Sequence, residues 1–364
     1  MRRIGAVLLW AGCALASSSD RELERRPPVA LPLTPLASVG SLVLVTIDGV
    51  RWQEVFGGVE PELAHRAGLP AAQVRPSREL LPNLYRRLID RGVALGAGVP
   101  LLASGPNFVS LPGYREILTG RADRDCTDNE CPPVDSATLL DQMRAELALP
   151  LDQVAAIASW EVIARAAARA PDQIALSAGR HGGPTRARFR VSENAAQILD
   201  RGAVADPWPG QFDYRPDRYT AALALAYVAA RSPRFLYVGL GDTDELAHRG
   251  DYRGYLRGLA DCDSFLGALL DRLPQGAVVV VTADHGRSVD FRSHGRDRGS
   301  ARVWLVAAGG PVPARGIVTS GEAHRLRDIA PTLRPLLGLA PDRAQQAGTP
   351  IPELLSPLLF ATRQ

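Results

Sequence analysis

Three hydrophobic runs in this chain end on carboxylates, two of them with an imidazole close by. "VVVVTADHG" carries Val278 into Asp284 and His285. "LVLVTIDG" finishes on Asp48, and "FLYVGLGDTDELAH" finishes on Asp242 and Asp244 with His248 four residues beyond Asp244. A lone Asp after a strand is ordinarily a turn or capping residue. An Asp and a His four apart on a helix share one face, a spacing that suits two metal ligands as well as a solvated surface. Taken together the three runs say more. In an open parallel sheet, ligands collect outside the carboxyl ends of the strands, so all three would deliver their acids to one crevice. Like charges packed there repel unless protons or a cation offset them. The chemistry this calls for is metal binding.

A nucleophile is available as well. "NFVSLPGYREILTGR" sets Ser110 between an apolar run and a Pro-Gly turn, just ahead of a helical pattern. There the hydroxyl is either an ordinary N-cap or, beside helix-terminal N–H groups and a metal, an activated alkoxide.

The elements that must position these groups alternate along the chain. Strands are expected at "SLVLVTID", "VAAIASW", "RFLYVGLGD", "GAVVVVTADHG" and "RVWLVAAGG". Helices are expected at "LLPNLYRRLIDRG" with a stop at Gly92, at "EVIARAAARA", "YTAALALAYVAARS", "YLRGLADCDSFLGALLDRL" and "DIAPTLRPLLGL". Such alternation predicts an α/β fold, a mostly parallel central sheet with helices on both faces. Strands apolar on both sides fit burial on both sides. The segment 180–215 has weak periodicity and reads as an excursion over the active face.

With 364 residues, 46% of them hydrophobic, the chain can bury a large core. Its net charge is +3 and its 42 basic residues are all arginines. Two of these, Arg2 and Arg3, open a basic start followed by an apolar stretch from Ile4 to Ala16, so residues 1–16 read as a secretory signal too short to span a bilayer. Near-neutral charge without them leaves no nucleic-acid footprint. Cys13 in "AGC" would allow a lipid anchor, although Trp10 does not suit the position ahead of it. Residues 17–40 read as a proline-rich linker, 41–340 as a catalytic domain and 341–364 as a C-terminal tail. The protein is therefore expected to be exported, periplasmic or secreted, without a transmembrane span. In that setting Cys126 and Cys131, around "CTDNEC", are expected to form a disulfide, leaving Cys262 unpaired.

"TIDGVRWQEVF", "SLPGYREILTG", "GLGDTDELAH", "TADHGRS" and "SHG" occur in an order that resembles the alkaline phosphatase superfamily, most closely bacterial relatives of type I phosphodiesterase/nucleotide pyrophosphatase. The resemblance spans roughly residues 41–340. It implies two divalent ions, zinc-like, about 4 Å apart. Asp48, Ser110, Asp284 and His285 would hold one, and Asp244, His248 and His294 the other. Ser110 would attack phosphorus to give a phosphoseryl intermediate, with Asn129 of "CTDNEC" bonding a phosphoryl oxygen. His65 and His181 match nothing, and His324 is expected to be structural. The sulfatase pattern, with Arg four residues after the nucleophile, is not met, because Tyr114 stands there. Nor is the phosphodiesterase pattern followed closely, since Ser110 replaces the usual Thr. The function implied is hydrolysis of a small phosphorylated substrate, a phosphomonoester or phosphodiester. Transfer of the phosphoryl or phospho-headgroup to an alcohol is the alternative, and a catalytically silent binding relative stands behind both.

Overall fold

The computed structural model describes residues 39–342 and 347–356; the expected signal segment, Cys13 and most of the linker lie outside them. Among the described residues the strands are β1 (Leu42–Ile47), β2 (Gly92–Leu95), β3 (Leu101–Leu102), β4 (Val154–Ala158), β5 (Ala175–Ala178) and β6 (Phe235–Leu240). They continue with β7 (Val278–Thr282), β8 (Arg302–Val303), β9 (Leu305–Ala308), β10 (Gly316–Ile317) and β11 (His324–Arg325). Eight form the main sheet in the order β10-β2-β9-β7-β1-β6-β4-β5, and β11-β3-β8 form a small second sheet. All pairings in the main sheet are parallel except those of β9, which runs antiparallel to both β7 and β2. The fold is thus α/β with a mostly parallel sheet, as the alternating pattern implies.

Register is what matters for chemistry. Leu42 of β1 lies opposite Phe235 of β6 and Val278 of β7, and Thr46 lies opposite Gly239 and Thr282. The three acid-bearing strands are neighbours at the sheet centre, run the same way and end level. Every residue of all three is buried, which explains why they read as unbroken apolar runs. The acids that follow their last apolar residues gather along one edge of the sheet, where Asp48, Asp244 and Asp284 remain buried.

Some local expectations differ. "LLPNLYRRLIDRG" does not make one helix; short turns cover Ser77–Leu80, Leu84–Leu88 and Ile89–Arg91. The N–H groups of Asn83 and Leu84 donate to the Asp263 carboxylate instead of to a preceding turn. Gly92 starts β2 rather than only stopping a helix. "EVIARAAARA" yields one turn of 3₁₀-helix and a short helix, Ala164–Ala167. Within 180–215 there is a regular helix, Glu193–Val204, N-capped by Ser192. Residues 347–356, read as tail, pack on the domain: Ile351, Leu354 and Leu355 are buried, and Glu353 bonds His324 at 3.0 Å.

Candidate metal centre and active site

Two donor clusters sit at the carboxyl edge of the sheet. Asp48, Asp284 and His285 form one, fully within the protein, and Asp244, His248 and His294 form the other, which opens to solvent at His248. In each, one donor atom per residue lies within 4.8 Å of the others. The clusters adjoin, because His285 Nε2 is 3.2 Å from Asp48 and 3.9 Å from Asp244. His248 Nε2 is 3.1 Å from Asp244 and 3.0 Å from His294 Nε2. His294 Nδ1 is 3.0 Å from the Phe108 carbonyl, which fixes the ring so that Nε2 faces the cluster.

Ser110 begins the helix Ser110–Thr119, and its Oγ lies 3.4 Å from Asp48 Oδ1 and 3.2 Å from His285 Nε2. That helix can come so close because Gly113 rests on the backbone of Asp284; a methyl group there would collide with the Asp284 carbonyl oxygen. Asn129 Oδ1 accepts the N–H of Leu111 at 2.9 Å, so the disulfide loop is pinned to the start of the serine helix. Cys126 and Cys131 are bonded, with their Cα atoms 5.6 Å apart, and Cys262 is free and buried.

The electrostatics reflect crowded acids. Burial, then the charge of Asp48, raises Asp284 well above the usual carboxylate range. Burial works against a charged His285, but Asp284, Asp48 and Asp244 outweigh it and raise the ring to about 10. Burial and the neighbouring His285 push His294 down to about 3. Asp244 is held well below the usual range: burial opposes this, and the Arg287 guanidinium with His248 overcomes it. Asp284 Oδ2 is buried without a hydrogen-bond partner. An orphaned carboxylate oxygen, three clustered acids and three imidazoles make a donor set that fits divalent cations.

All seven residues expected to hold metal are brought together, with Asn129 beside them. His65 and His181 are placed in neither cluster. Several contributors carried no strong sequence signal. Arg287, two residues after His285, ion-pairs with Asp244 and donates to the Phe291 and Arg292 carbonyls. Tyr114, one helical turn after Ser110, donates to Asp48 Oδ2. Asp242 belongs to neither cluster and accepts from Tyr214 Oη and the N–H of Asp217. In return Asp217 accepts the N–H groups of Gly241 and Asp242, capping the helix Asp242–His248 that carries two cluster residues. Arg115 bonds Asp123 and the Pro132 carbonyl. Between the clusters and Ser110 lies a pocket of about 150 Å³, walled on its far side by Trp160, Ile163, Tyr214 and Glu245.

Fold and donor set define a class, an α/β protein with two candidate metal-binding clusters at the carboxyl edge of a mostly parallel sheet. Residues 210–341 match the Metalloenzyme superfamily, and the fold is that of alkaline phosphatase and sulfatase structures. A mutant of the alkaline phosphatase PafA superposes with a TM-score of 0.56 at 13% identity, covering 88% of this chain and 99% of that one. A 2-O GAG sulfatase does so at 0.54 and 14%, covering 87% and 74%. The chain thus has the fold of alkaline phosphatase-like structures, and residues 210–341 are similar to the metalloenzyme superfamily. Among curated relatives, a phosphopentomutase of Anaeromyxobacter dehalogenans is 34% identical over 163 residues, 42% of this chain and 40% of the relative. A 2,3-bisphosphoglycerate-independent phosphoglycerate mutase of Cereibacter sphaeroides is 29% identical over 148 residues, 38% and 28% respectively. The chain therefore spans well under half the length of these relatives. Among the described residues, no helix is long and apolar enough to cross a membrane.

Proposed function

We propose that this protein is an exported two-metal hydrolase of phosphoric esters that works through Ser110. The observation that carries the reading is the hydroxyl of Ser110 at a helix start, 3.4 Å from Asp48 and 3.2 Å from His285, facing a pocket walled by both clusters. Asp48, Ser110, Asp284 and His285 would hold one divalent ion and Asp244, His248 and His294 the other; imidazole with carboxylate is a set that suits zinc. Bound there, such ions supply Lewis-acid charge that lowers the serine pKa and offsets the charge of the phosphoryl oxygens.

The chain's own residues do the rest. Asp48 and His285 hold Ser110 Oγ in place for in-line attack. A bond forms from Oγ to phosphorus as the bond to the leaving ester oxygen breaks, and the phosphoseryl group is released when water attacks the same phosphorus. Asn129, its carbonyl end tied to Leu111, keeps its NH₂ end to donate to a phosphoryl oxygen. Among the described residues no arginine lines this pocket, although the chain has 42 basic residues, all arginines. Glu245 lines it instead. A dianionic monoester would lack a guanidinium to match the charge left beyond that offset by the ions, so a monoanionic diester is the better fit. The Cys126–Cys131 bond accords with an oxidising, exported setting.

Paired assays on p-nitrophenyl phosphate and bis-p-nitrophenyl phosphate, with and without zinc, test this directly, the diester being the faster. Ser110→Ala is expected to lower turnover by roughly 10³-fold or more without changing metal content. Retained activity in that variant would sink the nucleophile. The mutase relatives favour a second reading, phosphoryl transfer to an alcohol. It predicts label transfer to an added alcohol in place of release to water.

A further inference from the structure

A second and larger concavity lies on the other side of the disulfide loop. It has a volume of about 990 Å³, against about 150 Å³ for the pocket at Ser110. Five arginines line it: Arg115 on the serine helix, Arg121 and Arg124 on the loop that follows, and Arg325 and Arg327 around β11. Two of them are matched within the chain, Arg115 by Asp123 and Arg121 by Asp342. Among the described residues, no carboxylate makes an ion pair with Arg124, Arg325 or Arg327. Glu116, which feels the charge of Arg325, is already engaged by Ser104 and by the N–H of Arg327.

Burial raises the stakes. Arg115 is only 4% exposed, and the Nε atoms of Arg115, Arg121 and Arg327 are buried without a hydrogen-bond partner. Guanidiniums removed from water and incompletely matched are costly to the fold, and an anion in the groove would offset that cost through charge even without touching Nε. Asp125 and Asp135 also line the groove, but both are exposed, where solvent and salt screen them more than a half-buried guanidinium.

We propose that this groove is a second binding site, independent of the metal centre, for a compact polyanion bearing several phosphate or sulfate groups. The planar guanidinium fork matches both groups, and arginines arriving from three parts of the chain suit a ligand with several anionic arms. The volume is of the size that encloses a small organic ligand.

Isothermal titration calorimetry of the intact protein with sucrose octasulfate, at low and physiological salt, tests the site without relying on turnover. One site is expected, weakening with salt. The double substitution Arg325→Ala/Arg327→Ala is expected to weaken binding at least tenfold, and Asp244→Ala to leave it within twofold. Unaltered affinity in the double variant would overturn the proposal. So would loss of binding in Asp244→Ala, which would place the anion at the metal centre. If the double variant does not fold by circular dichroism, Arg124→Glu, at an exposed loop position, is read instead: at least fivefold weakening supports the groove and an unchanged constant refutes it.

Discussion

His285 and His294 stack with ring centroids 3.9 Å apart, yet their protonation is driven in opposite directions. His285 is ringed by carboxylates and held up to about 10, and His294, with that cation beside it, is pushed down to about 3. A metal ligand must be neutral at its donor nitrogen. At pH 7 the metal-free protein therefore keeps a proton on His285 that an incoming ion has to displace, whereas His294 has none to give. Metal affinity is expected to rise with pH by about tenfold per unit for each proton displaced, and to level off once pH passes the His285 value. Calorimetric titration of zinc in buffers of different ionisation enthalpy measures that proton; finding none released at pH 7 would contradict the assignment. Glu245 is the other residue to watch. Burial and the adjacent Asp244 raise it to about 7, and it lines the pocket beside Ser110, where its ionised form would repel an anionic substrate.

At the scale of elements, the site depends on how closely a helix can meet a strand end and how firmly a helix start is tied down. Gly113 lets the serine helix lie on the Asp284 backbone. Gly113→Ala is expected to cost about 1–3 kcal/mol by overpacking and to lower turnover by displacing Ser110, both readable from thermal melts and steady-state rates. Asp217 and Asp242 cap each other's helices through reciprocal N–H contacts of 2.9 and 3.1 Å. Asp217→Ala strips acceptors from Gly241, Asp242 and the Ser159 hydroxyl. The expected loss is about 3 kcal/mol, from several buried donors left unmatched. It should also weaken metal at the Asp244 cluster more than at the Asp48 cluster, measurable as one of two binding steps shifting in a zinc titration.

Across the whole molecule, the central sheet gathers Asp48, Asp244 and Asp284 with His285 and Arg287 as the compensating groups within the chain. Divalent cations binding only the folded state would stabilise it by mass action. Chelation is expected to lower the melting temperature by roughly 5 °C or more, recovered on adding zinc back; a melting temperature indifferent to chelator would argue against a resident metal. The two mutase relatives align over only 40% and 28% of their own length, so their complete substrate sites are not shared with this chain.

Strand cores and the acids at their ends were legible in the sequence because burial on both faces leaves an unbroken apolar run and releases polar residues only at its edge. The same logic exposed Asp48, Asp244, His248, Asp284 and His285 without a neighbour in sight. What those residues meet was decided by tertiary structure. Level register among β1, β6 and β7, the Asp217–Asp242 exchange, the turn of Arg287 toward Asp244 and the groove of arginines all join segments distant in the chain. Pairing across such distances depends on packing geometry, and local periodicity carries no record of it.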